Sequence, residues 1–166
     1  MKNPRLSSKA VLLHSTNFRE SSLIVTFFSQ DFGLIKLVAK GAKLKNSKFS
    51  NIKVPGATFK IEFGGRNELK NLYTCETIGS LIIKESNFKI YLYLNELILK
   101  TLELEAPMRL IFNDLINLFK ELETVKDPLE KELKLRRFEY GLIVVLGYEF
   151  SLMDDNLSLI QISEPT

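Results

Sequence analysis

The fold class predicted for this chain is α+β with the strands first: a small closed five-stranded barrel followed by an all-α region. Two observations predict it. The spacing of apolar residues changes from a period of two to a period near 3.6 at about residue 84. The charge changes sign at the same place, with 14 Lys and Arg against 5 Asp and Glu in residues 1–84, but 9 against 15 in residues 85–166. The net charge of +3 conceals this asymmetry, which suggests a basic module facing polyanions and a second module with another task. A length of 166 residues suits one ordinary domain or two small ones.

The first half reads as strands. "KAVLLHS" and "SLIVTFFS" look fully buried and are joined by a polar turn, "TNFRE". "QDFG" is a turn leading into "LIKLVAK", with Gly33 able to take a positive φ. "ATFKIEF" alternates, placing Phe59, Ile61 and Phe63 on one face and Lys60 and Glu62 on the other. "FGGRNE" reads as a hairpin turn, and "LKNLYTCETIG" as a fifth strand. Five short strands with a long basic loop between the third and fourth suit a small barrel.

The second half reads as helices. Ile90, Leu94, Leu97, Ile98 and Leu102 share one helical face, and Ile111, Leu115, Leu118, Phe119 and Leu122 share another, with Pro107 a break between them. In "DPLEKELKLRRFEYGLIVVLG" Asp127 is placed as N-cap, Pro128 at the first helical position and Glu130 three residues after the cap. Gly147 supplies the left-handed stop, and Leu135, Phe138, Leu142, Val145 and Leu146 form the core face. The last ten residues, "LSLIQISEPT", resemble the conceptual translation of a sequencing-adapter read-through. They are expected to be a non-native tail, a native disordered terminus being the alternative. The expected division is therefore 1–81 barrel, 82–156 helical and incomplete, and 157–166 tail.

Composition excludes several functions. No apolar run reaches the roughly 18 residues of a membrane span, and the start lacks the apolar core of a secretory signal. One cysteine and one histidine allow neither an intrachain disulfide nor a zinc site of the usual Cys/His types, so a cytoplasmic, metal-free protein without cofactors is expected. His14 has no evident catalytic partner, and Cys75 in "YTCE" reads as a packed thiol. Glu103/Glu105 and Glu121/Glu123 lie two apart on expected helices and do not face each other. "FGGRNE" lacks the lysine and Ser/Thr of a phosphate-binding P-loop. No enzyme signature survives.

The lysines do. Residues 36–53 hold Lys36, Lys40, Lys43, Lys45, Lys48 and Lys53 without one acid, whereas a solvated loop normally mixes signs. Lysines in such numbers suit phosphate contacts that supply charge without reading sequence. Phe49 has two readings, stacking on a base or anchoring the loop to the barrel. From these residues alone, nucleic-acid binding, docking of an acidic protein and plain surface all stay open.

"AVLLHSTNFRESSLIVTFFSQDFGLIKLVAKGAK" resembles the N-terminal signature of the RecO family of bacterial recombination mediators. "FGGRNELKNLYTCE", "YLYLNELILKTLELE" and "LRRFEYGLIVVLGYEF" match further family blocks in order, so the resemblance runs from about residue 9 to 150. It implies an N-terminal OB-fold and a C-terminal helical domain that continues beyond "LGYEF" in relatives. It also implies binding and annealing of single- and double-stranded DNA in repair, partnership with RecR, and help for RecA in loading onto DNA coated by single-stranded DNA-binding protein. No bond chemistry is implied, and the location would be the nucleoid rather than a membrane. Members that hold zinc use four cysteines, so this chain resembles the zinc-free branch. The DNA-contact candidates are Arg19, Lys36, Lys40, Lys43, Lys45, Lys48 and Arg66, of which Lys40, Lys43 and Arg66 fall in the matching blocks. The resemblance further implies a site for the acidic C-terminal tail of single-stranded DNA-binding protein. "KLRRFEYGLI" offers Arg136, Arg137 and Tyr140 beside an apolar face, the alternative being that the arginines merely pair with Glu132 and Glu139.

Overall fold

A computed structural model describes residues 4–53, 57–66, 69–80, 83–148, 150–151 and 161–162. Five strands close a barrel: β1 (Leu6–Phe18), β2 (Ser22–Ser29), β3 (Gly33–Ala39), β4 (Ala57–Gly64) and β5 (Lys70–Ser80), in the order β1-β2-β3-β5-β4. All neighbours are antiparallel except β3 and β5, which run parallel through Leu37↔Lys70 and Val38↔Asn71. β4 returns to β1 through pairs from Leu6↔Phe63 to Val11↔Thr58 and completes the closure. This is a closed five-stranded barrel followed by helices, as the apolar spacing predicts, and it is OB-like, as the resemblance implies.

Alternation fills the interior. Val25, Phe27, Ile35, Leu37, Phe59, Ile61, Phe63 and Cys75 belong to one buried core. The reason β1 and β2 look apolar on both faces is a second buried layer outside the barrel. Val11, Leu13 and Phe28 stand apart from the interior cluster, yet are at most 8% exposed. Helix α1 (Glu85–Thr101) covers β1, with Tyr91 Oη donating to the Leu12 carbonyl at 3.2 Å and Asn95 Nδ2 to that of Leu13 at 3.4 Å. Helix α2 (Arg109–Thr124) brings Phe112 edge-on to Phe28 with ring centroids 5.5 Å apart. The two polar residues Asn87 and Asn95 are buried on α1 beside the apolar ones. Asn87 Nδ2 donates to the Leu122 carbonyl at 2.8 Å, so the amide keeps a hydrogen bond on burial.

Three expectations need correction, and the open choice at Phe49 is decided. "TNFRE" is not all turn: β1 continues to Phe18, pairing Ser15↔Val25 through Phe18↔Ser22 after an irregularity between Leu12 and His14. Backbone pairing, rather than side-chain burial, holds this exposed polar end. Glu103 and Glu105 do not lie on a helix, because α1 ends at Thr101 and Leu102 is already extended. Leu104 there forms a parallel bridge with Leu34, and Glu105 takes a left-handed φ of 59°. Phe49 is a core residue, 1% exposed, and no base can stack on it. Val145 is 45% exposed rather than on a core face.

The chain forms two compact units, Met1–Glu123 and Thr124–Thr166. The second contains α3 (Pro128–Val145), capped by the Asp127 carboxylate, which accepts from the backbone N–H groups of Leu129 and Glu130. Phe138 and Leu142 are its buried residues, and Gly147 takes φ 86° after its end. In the same unit β6 (Phe150–Ser151) pairs with β7 (Gln161–Ile162). The rest of the expected 157–166 tail lies outside the described residues, as do Asn67 and Glu68 of the "FGGRNE" turn.

Candidate nucleic-acid interface

The basic segment after β3 is a built surface. It runs through successive tight turns, with Leu44, Ser47 and Ser50 N–H groups each donating to the carbonyl three residues earlier, and ends in a short 3-10 turn, Ser50–Lys53. Ala42, Phe49 and Ile52 join the barrel core at 1–2% exposure. Burial of these three side chains contributes on the order of several kcal/mol toward holding the segment. Side chains tie it down further: Asn51 Nδ2 donates to the Cys75 carbonyl at 2.7 Å and to Thr77 Oγ1 at 3.2 Å.

Two of the candidate lysines share in this anchoring. Lys43 Nζ donates to the Arg19 carbonyl at 2.9 Å, and its own backbone N–H donates to the Ser21 carbonyl at 3.0 Å. The segment is thereby fastened to the β1–β2 turn, where Arg19 stands at φ 53° with its guanidinium 5.1 Å from the Phe18 ring centroid. Lys48 Nζ donates to the Tyr73 carbonyl at 2.8 Å and lies 4.9 Å over the Phe49 ring. Lys40 and Lys45 are exposed and make no side-chain hydrogen bond or ion pair among the described residues. Lys43 is thus brought to Arg19, Lys48 is held at β5, and Lys40 and Lys45 are displayed on the same anchored segment.

Lys36 and Arg66 stand elsewhere. Lys36 is exposed on the outer face of β3, paired in register with Thr26 of β2, and it lines a cleft together with Arg66. Lys70 lines the same cleft and is ion-paired with Glu105; neither residue stood out in the sequence as part of a site. Charge was the one signal they carried, since the contact joins residues 35 apart.

Cys75 is buried and its thiol pKa is pushed up to about 12 by desolvation, so at neutral pH it is a protonated packing group. Among the described residues no cluster of three or more His, Cys, Asp and Glu is placed to hold a metal ion, and no helix is long and apolar enough to cross a membrane.

On α3, Arg136 is held on both sides by Glu139 at 2.6 Å and Glu132 at 3.6 Å. Its pKa is pushed further up, first by the hydrogen bond to Glu139. Arg137 is exposed without a side-chain partner among the described residues, and Tyr140 is 59% exposed.

Residues 1–81 match the family model described as Recombination protein O N terminal. The chain is also similar to curated proteins named DNA repair protein RecO. It is 34% identical over 142 residues to that of Aliivibrio salmonicida, covering 84% of this chain and 58% of the relative. It is 37% identical over 142 residues to those of Enterobacter sp. (strain 638) and Escherichia coli (strain K12), covering 84% of this chain and 59% and 57% of the relatives. The chain therefore spans less than three fifths of the length of these relatives. With that domain at its N-terminus and this identity continuing into the helices, the chain belongs to the RecO family.

Proposed function

We propose that this chain is a DNA-binding recombination mediator acting in DNA repair. The barrel holds single- and double-stranded DNA by its phosphates and anneals complementary strands. With RecR, the protein helps RecA load onto DNA coated by single-stranded DNA-binding protein, by binding and positioning rather than by bond chemistry. The observation that supports this best is the one-sign lysine segment fixed to the barrel by Ala42, Phe49 and Ile52, within the domain that carries the family match. Annealing brings two polyanions together, and lysines that replace condensed counterions lower that repulsion without preferring any sequence. The names of the relatives, which speak of DNA repair, point the same way. On α3 the acidic tail of single-stranded DNA-binding protein is received by Arg137 and Tyr140, with Arg136 releasing its glutamates to join them.

A gel-shift against random single-stranded DNA with a polyglutamate competitor tests the reading. Retention of the DNA complex at matched charge concentrations of polyglutamate is the expected result. Displacement of DNA by polyglutamate, or no shift at all, favours instead a basic scaffold that docks an acidic protein.

A further inference from the structure

The first unit holds a cleft of about 680 Å³, within the range of roughly 300–1,000 Å³ usual for ligand sites. It exists because the link between α1 and α2 is laid against β3. The Leu104 backbone bridges to Leu34, the Glu105 N–H donates to the Leu34 carbonyl at 2.8 Å, and Glu105 is held in the left-handed region that non-glycine residues rarely occupy. Leu34, Leu69 and Leu104 supply its apolar lining, and Lys36, Arg66 and Lys70 supply cations. Among the described lining residues Glu105 is the acid, and it is ion-paired with Lys70.

We infer that this cleft receives one unstacked nucleobase of a single strand, the base against Leu104 and Leu69 and its flanking phosphates on Lys36 and Arg66. The inference rests on the DNA-binding reading and adds a division of labour to it. Apolar walls beside a cationic rim suit a ligand that is flat and weakly polar at one end and anionic at the other, which is the build of a nucleotide. A phosphate alone would leave the leucines without a role. The cleft and the basic segment belong to one stretch of chain, since β3 bears Lys36 and ends at Ala39, one residue before Lys40. Bases in a duplex are paired and stacked and do not enter it, so the cleft discriminates strandedness while the lysine segment does not.

The test compares three fluorescent probes by anisotropy: a thymidine oligonucleotide, an abasic strand with the same number of phosphates, and a duplex. The native chain is expected to bind the thymidine strand on the order of tenfold more tightly than the abasic one, as for a single well-buried base contact. Leu104, 54% exposed, tolerates change, and Leu104→Gln, which puts a polar but uncharged group in the wall, is expected to erase that difference while leaving duplex binding unaltered. Leu104→Ala, which removes the wall without adding a polar group, is expected to reduce it by about half on a logarithmic scale. Circular dichroism establishes that each variant is folded. Equal binding of thymidine and abasic strands by the native chain overturns the cleft assignment and leaves DNA binding by the lysines standing. So does an equal weakening on all three probes in a folded Leu104→Gln variant. Failure to bind any probe overturns the DNA reading itself.

Discussion

Phe49 anchors the basic segment to the barrel core. Its ring is 1% exposed in the barrel core, and the lysines around it are displayed on the backbone that this burial fixes. Truncating a fully buried phenylalanine costs about 3–5 kcal/mol, so Phe49→Ala should lower the unfolding free energy by that order. Urea denaturation with an unchanged m-value checks it, and a drop under about 1 kcal/mol would show that the ring is not a core group. Both readings of Phe49 were open in the sequence, and the neighbouring Ile52 decides between them. Phe49 and Ile52 are three apart, the repeat of a 3-10 turn, so both face the same way. Cys75 was legible as a packed thiol because no histidine stands near it in the chain. Its parity was not legible. Leu72 and Cys75 are three apart yet both buried, because an irregularity between Glu62 and Phe63 resets the β4–β5 register.

At the scale of elements, strands and helices were legible wherever side-chain burial made them. Phe59, Ile61 and Phe63 alternate because one face of β4 lines the barrel, and Ile111, Leu115, Leu118 and Leu122 recur because one face of α2 is buried. The α1–α2 link was not legible. Ile98 and Leu102 keep a helical spacing, yet the helix ends at Thr101, Leu102 is extended and Leu104 pairs with Leu34. A tertiary contact of this kind leaves no local mark, so the cleft could not be foreseen. Helix α3 shows the opposite case, with Asp127, Pro128 and Gly147 in the capping roles that their chemistry suggests. Its arginines differ in a way that spacing does not show, because Glu139 and Glu132 engage Arg136 and leave Arg137 exposed. Calorimetric titration with an acidic tail peptide should therefore find Arg137→Ala weaker by on the order of tenfold, as for a charge-assisted contact, and Arg136→Ala weaker by less. Unchanged affinity in both variants would place the tail site elsewhere.

Across the whole molecule the dominant feature is charge segregation, with residues 1–84 rich in lysine and residues 85–166 rich in acid. The closed barrel removes exposed sheet edges and offers a rigid carrier for cations on its loops. On the proposed reading, the positive charge of that carrier attracts nucleic acid, an effect that salt screens beyond about 8–10 Å. Lysines fixed to the barrel then hold DNA through its phosphates, independently of sequence. The salt dependence of DNA affinity in the chain with Lys40, Lys43, Lys45 and Lys48 all changed to Glu tests this most directly. Affinity for unrelated sequences should fall about equally, and the slope of log affinity against log salt should flatten by about 0.7–0.9 for each phosphate no longer neutralised. An unchanged affinity and slope in a folded quadruple variant would contradict DNA binding by these lysines.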